Sequence, residues 1–107
     1  MTNRNEKIGE ILRDLGARYL HENSNNSSLI TVTSVQLSKD SKYATIFFTV
    51  FPPEFEKTAL EFAKRKRGEF KTFVKENSAL GRIPFLDFEI DLGEKNRQKI
   101  DRLLDEK

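Results

Sequence analysis

Phe62-Ala63-Lys64-Arg65-Lys66-Arg67-Gly68-Glu69-Phe70 sets four cations and a glycine inside a stretch whose apolar residues keep a helical spacing. Phe55, Ala59, Phe62 and Ala63 lead into it and Phe70, Phe73 and Val74 lead out, three or four residues apart on either side, which defines one buried helix face from about Glu54 to Asn77. Glycine within a helix costs about 1 kcal/mol relative to alanine, so Gly68 is where this pattern predicts a kink. The apolar period itself runs through Gly68 without a phase break, so the residues alone also permit one uninterrupted helix. Lys66 falls on the apolar stripe, seven residues after Ala59 and four after Phe62. A cation there either snorkels outward or is turned to solvent by the kink.

Lys71 and Lys75 follow Arg67 at i+4 and i+8 and extend the positive charge along one helix face, so Lys64 to Lys75 holds six cations against the single anion Glu69. Lysine and arginine in such a row neutralise phosphates and supply affinity without sequence choice, which points to RNA; the plainer alternative is a solvated helix face. Net charge is only +2, so the distribution matters more than the sum. Asp87, Glu89, Asp91 and Glu94 form an acidic stretch, and the expectation is a dipolar surface with these acids turned away from a phosphate-rich partner.

At 107 residues the chain makes one domain with one core, to which 36% apolar residues and nine phenylalanines contribute. It has no cysteine, hence no disulfide framework, thiolate nucleophile or cysteine-based metal site, and a reducing cytosol suits it. The longest apolar run, Ala44 to Phe51, is far short of the roughly 20 residues of a membrane helix, and the N-terminus lacks the apolar segment of a secretory signal. A soluble, cytoplasmic protein with no membrane partner is expected.

Outward from the basic stretch, Ile8, Ile11, Leu12, Leu15, Tyr19 and Leu20 predict a first helix from about Asn5 to His21, with Asn3 or Asn5 as its cap. Asn23 to Ser28 reads as a loop. A strand follows from Leu29 to Leu37, in which Ile30 and Val32 share a parity that Val35 and Leu37 do not, so a bulge is expected near Thr33-Ser34. Ser38 to Lys42 is a hairpin loop. The second strand, Tyr43 to Phe51, puts Ala44, Ile46, Phe48 and Val50 on one side and Tyr43, Phe47 and Phe51 on the other, and Pro52-Pro53 ends it. A third strand from Phe85 to Asp91 turns Leu86, Phe88 and Ile90 inward, and Ile100, Leu103 and Leu104 mark a short final helix. The order α-β-β-α-kink-α-β plus a C-terminal helix is α+β: a three-stranded sheet covered on one face by helices, a single domain of the type II KH order.

Several segments resemble ribosome-binding factor A, a family of small-subunit assembly factors. Ile30-Thr31-Val32-Thr33-Ser34-Val35-Gln36-Leu37-Ser38-Lys39-Asp40 resembles that family's first strand and the Ser-x-Asp loop after it, and Ala44-Thr45-Ile46-Phe47-Phe48-Thr49-Val50 its second strand. Arg82-Ile83-Pro84-Phe85-Leu86-Asp87-Phe88-Glu89-Ile90-Asp91 is similar to its Arg-x-x-Pro-x-Leu-x-Phe-x-x-Asp signature, with the arginine one position nearer the proline. Ile100-Asp101-Arg102-Leu103-Leu104 resembles its helical ending.

In that family an Ala-x-Gly kink replaces the Gly-x-x-Gly phosphate loop of other KH domains. No two of the glycines here, at 9, 16, 68, 81 and 93, lie three apart. Counting back from Pro84 places the kink glycine on Gly68 and its alanine on Lys66, a departure; Asn23-Ser24-Asn25 stands where the family has Asp-Pro-Arg, so that arginine's contacts are not inherited. The resemblance implies binding to the small ribosomal subunit precursor, near the 5′ region of its ribosomal RNA, to assist late maturation and rRNA processing, including in the cold. It implies no catalysis and no cofactor, and the free protein is expected to be a monomer. Lys64, Arg65, Lys66, Arg67, Lys71, Lys75 and Arg82 are the residues expected at the RNA, with Gly68 at the kink.

Other features carry less. The row Tyr43, Phe47 and Phe51 could stack on bases, or be half covered, with Phe51 at the core edge. Asp87, Glu89 and Asp91 superficially suit a divalent cation, but lack a histidine or phosphate loop and read better as solubility and edge protection. His21, the only histidine, sits at a helix end, where it caps carbonyls rather than performs acid-base chemistry, and no serine has a histidine partner at a suggestive position. The competing reading of the whole is a protein-protein adaptor whose basic face docks an acidic protein.

Overall fold

A computed structural model describes residues 4–24 and 28–93. Its elements are α1 (Arg4–Asn23), β1 (Leu29–Leu37), β2 (Tyr43–Phe51), a 3-10 turn at Pro53–Phe55, α2 (Glu56–Arg65), α3 (Arg67–Asn77) and β3 (Phe85–Ile90). Helix α1 is longer than its apolar pattern at both ends, and β3 stops one residue short of Asp91. Asn3 and the expected final helix at Ile100, Leu103 and Leu104 lie outside the described residues.

The sheet order is β1-β2-β3, with β1 antiparallel to β2 and β2 parallel to β3. A parallel pair needs a crossover, which α2 and α3 supply. The parity slip in β1 is a bulge: Val32 pairs with Phe48 and Ser34 with Phe47, leaving Thr33 as the extra residue. Thr33 Oγ1 lies 2.5 Å from Asp91 Oδ2, so the bulge is tied to the end of β3 across the sheet.

One face of the sheet is the core face. Ala44, Ile46, Phe48 and Val50 of β2 and Leu86 and Phe88 of β3 are buried in a single cluster with residues of all three helices. Helix α1 can lie this close to β2 because Gly16 is buried there; a Cβ on it would stand 3.4 Å from Ile46 Cγ2. The opposite face carries Tyr43, Phe47 and Phe51 and, by parity, Phe85, Asp87 and Glu89, the last three reached by side chains from the α2–α3 junction.

The hairpin loop explains its Ser-x-Asp motif. Asp40 Oδ1 accepts from Ser38 Oγ at 2.7 Å and from the Lys42 N–H at 3.1 Å, while Ser38 Oγ in turn accepts from the Tyr43 N–H at 3.1 Å. These bonds hold the Asp40 carboxyl below its ordinary pKa, the Ser38 hydroxyl contributing most. Ser41 takes the left-handed conformation at φ 62° that closes the loop. Asn5 is not the helix cap: it lies within α1, where its Nδ2 donates to the Ser38 carbonyl at 3.3 Å and its Oδ1 accepts from Ser41 Oγ.

The helix break corrects the expectation drawn from glycine. It falls at Lys66, not at Gly68, which is the second residue of α3. Lys66 sits at φ −94°, ψ 9°, and its N–H is shared between the carbonyls of Phe62 and Ala63, both at 3.1 Å. The next turn still bonds back to it, Phe70 N–H to Lys66 O at 2.8 Å, so this is a kink rather than a loop. The cause is burial: continued straight, the helix would drive Lys66 into the apolar stripe between Ala63 and Phe70, both fully buried. The kink instead turns Lys66 to solvent, where its Nζ meets Glu69 Oε2 at 2.8 Å.

Candidate nucleic-acid interface

The basic run divides at the kink. Lys64 Nζ lies 3.0 Å from Asp87 Oδ1 and 2.8 Å from Glu89 Oε2, and Arg67 Nη1 lies 3.2 Å from the same Asp87 oxygen. That oxygen also accepts the Phe88 N–H at 2.9 Å, and Arg67 Nε donates to the Lys64 carbonyl at 3.0 Å. The acids of β3 therefore face the cations and hold the kink against the sheet. This overturns the dipolar surface expected from the sequence, because α2 and β3 pack together and bring residues more than twenty positions apart into contact.

The electrostatics follow from this geometry. Partial burial pushes the Asp87 carboxyl up, but the Lys64 ammonium, the Phe88 N–H and the Arg67 charge outweigh it and hold the carboxyl below its ordinary value. Burial likewise pushes the Lys64 ammonium down, and its bonds to Glu89 and Asp87 more than reverse that, leaving it above the ordinary lysine value. A second, smaller chain runs from Lys66 to Glu69 to the Tyr19 hydroxyl, 3.4 Å from Glu69 Oε2. The Lys66 hydrogen bond is the main cause of the lowered Glu69 pKa, and burial of the raised Tyr19 pKa.

The remaining expected RNA residues are unlike these. Arg65, Lys71, Lys75 and Arg82 are exposed, and among the described residues none of them takes part in an ion pair. Lys71 and Lys75 stand one and two turns beyond Arg67 on the same face of α3. Arg65 points to the other side of α2, at a groove of about 320 Å³ lined also by Ile30, Ala59 and Phe62. Gly68 is exposed, and a Cβ on it would meet nothing within 4 Å, so the backbone at the start of α3 is open to close approach.

The aromatic row also sorts differently from its sequence order. Tyr43 and Phe51 are 61% and 70% exposed, so Phe51 is not at the core edge, while Phe47 is half-buried between them. Tyr43 finds its neighbour on another strand: it is the register partner of Phe85, itself 61% exposed, with ring centroids 6.1 Å apart. Phe85 is the residue sequence reasoning missed here; its shared parity with Asp87 was the available signal.

A kinked helix pair crossing between parallel strands, with open backbone at Gly68 and unpaired Lys71 and Lys75 beyond the kink, defines a KH-like α+β domain of the type II order. Comparison with known proteins then narrows the class. The chain belongs to the ribosome-binding factor A family, whose sequence model matches residues 3–104. It is similar to ribosome-binding factor A of Kosmotoga olearia, 31% identical with 94% of this chain and 81% of that protein covered. Against that of Thermosipho africanus it is 34% identical, covering 96% and 86%. Its fold matches the crystal structure of ribosome-binding factor A from Thermus thermophilus with a TM-score of 0.69 at 22% identity, over 79% of this chain and 93% of that one. A homology model of the Thermus thermophilus factor, fitted into a cryo-EM map of a 30S complex, matches with a TM-score of 0.65 at 24% identity, over 74% and 86%.

Proposed function

We propose that this protein is a non-enzymatic assembly factor that binds the small ribosomal subunit precursor and its ribosomal RNA, at the 5′ region, and assists late maturation in the cytoplasm, including in the cold. The observation that carries this reading is that Arg65, Lys71 and Lys75, on either side of a helix kink with open backbone at Gly68, are exposed and outside any ion pair among the described residues, in a chain of a family named for ribosome binding. The relative fitted into the 30S map supports the choice of the small subunit. The whole chain acts as one RNA-binding domain. Arg65, Lys71, Lys75 and Arg82 make the phosphate contacts, whereas Lys64, Lys66 and Arg67, already engaged by carboxylates, hold the kink that presents them.

Sedimentation tests it. At low salt the protein comigrates with small subunits or their precursors and leaves them as salt rises, since each neutralised phosphate releases counterion. Migration as a free small protein at every salt concentration rejects the assignment.

A further inference from the structure

Tyr43 and Phe85 are register partners on the parallel strands β2 and β3, on the face opposite the buried core residues, and each is more than half exposed. Their rings are tilted by 59° with centroids 6.1 Å apart, a direct contact that leaves no gap for a ring between them, so a base would stack on an exposed face of one ring or the other. The Arg67 guanidinium stands 6.0 Å from the Phe85 ring centroid, oriented by Asp87 and the Lys64 carbonyl. Exposed Lys42 precedes Tyr43 in the chain, and its carbonyl accepts the Phe85 N–H at 2.8 Å; exposed Arg82 lies three residues before Phe85.

Charge decides which partner fits. Asp87 and Glu89 share this face and would repel a phosphate backbone, but Lys64 and Arg67 pair with them and cancel that charge, and the charged residues next before Tyr43 and Phe85 in the chain, Lys42 and Arg82, are both cations. Phe51, at the far end of β2, is as exposed, yet no cation stands over its ring among the described residues. An aromatic platform with cations next before it in the chain matches an unpaired nucleotide, which has a π-face and a phosphate, better than an apolar peptide.

We propose that Tyr43 and Phe85 form a base-stacking subsite for single-stranded RNA, with Arg82 and Lys42 on the adjoining phosphates. This rests on the RNA-binding reading above and adds a preference for unpaired over duplex RNA.

The test uses the full chain and a short single-stranded RNA carrying a central 2-aminopurine, with the matching duplex as control. Wild type is expected to quench the probe on binding. Y43L and F85L should each weaken single-strand affinity about tenfold and abolish the quench, without altering the slope of log affinity on log salt or the duplex affinity. F85W should retain both affinity and quench, and circular dichroism should show all variants folded. Unchanged affinity and quench in Y43L and F85L, with K71E/K75E still impaired, overturns the stacking subsite and leaves the RNA-binding reading standing. No binding of either RNA by wild type overturns both. If F85L loses small subunits in sedimentation while binding the oligonucleotide normally, the patch docks a protein and the inference is overturned.

Discussion

Lys64 and Arg67 on one hand and Lys71 and Lys75 on the other belong to one basic stretch, yet they live in different environments. Lys64 meets two carboxylates within 3.0 Å and Arg67 meets one at 3.2 Å, whereas Lys71 and Lys75 are exposed and unpaired. A cation facing carboxylates on a neighbouring strand contributes to stability; one facing only water remains available to phosphate. A charge run is thus not a functional unit until its surroundings are known.

The largest effect should come from the unpaired set. Reversal of Lys71, Lys75 and Arg82 to glutamate is expected to lower affinity for ribosomal RNA at least a hundredfold at about 0.1 M salt, and to flatten the log–log salt dependence by roughly three. Filter binding across a salt series measures it, and the thermal midpoint should not move. Lys64→Glu should do the reverse: it leaves Asp87 and Glu89 facing a like charge in a half-buried site, at a cost of about 2 kcal/mol in urea unfolding. A K64E protein as stable as wild type would erase the distinction between the two sets.

Acid titration sharpens the same contrast. The folded-state pKa of Asp87 is lowered, so its contribution is fully present above the unfolded-state value of about 3.9 and is lost as pH falls through the folded one. D87N should accordingly cost about 1 kcal/mol at pH 7 and progressively less below about pH 4, read from urea midpoints of both proteins. The raised Lys64 pKa acts at the other end, its contribution complete below about pH 10.4 and lost as pH rises through the folded value. The smallest effect is expected at Gly68: with open space around it and no positive φ, G68A should gain about 0.5 kcal/mol from helix propensity, visible as a slightly raised melting temperature.

Strands β1 and β2 have the limits their alternation and turn residues predict, and the Thr33 bulge was legible as a parity slip. These are local signals: side chains alternate along a strand, so a slip of one residue shows in the pattern. The kink was expected only through the family resemblance, since the apolar period also permits one uninterrupted helix, and its position was not legible. Helix propensity pointed to Gly68, while the burden of burying the Lys66 charge placed it two residues earlier. The family resemblance was carried by motifs in order along the chain, and the family match agrees with it.

What escaped the sequence is whatever depends on the β2–β3 crossover. Parity says that Phe85, Asp87 and Glu89 share a face; it does not say that Tyr43 lies beside Phe85 or that Lys64 reaches Asp87 and Glu89.

The amino-acid sequence by itself determined the order of the described elements and the core face of β2 and β3, because hydrophobic period and turn chemistry are written residue by residue, and its motifs carried the family resemblance. Only the tertiary structure decided which cations are spent on the fold and which stay free, and which aromatics meet. Those are contacts between segments distant in the chain, set by strand register and by how the helix pair packs against β3.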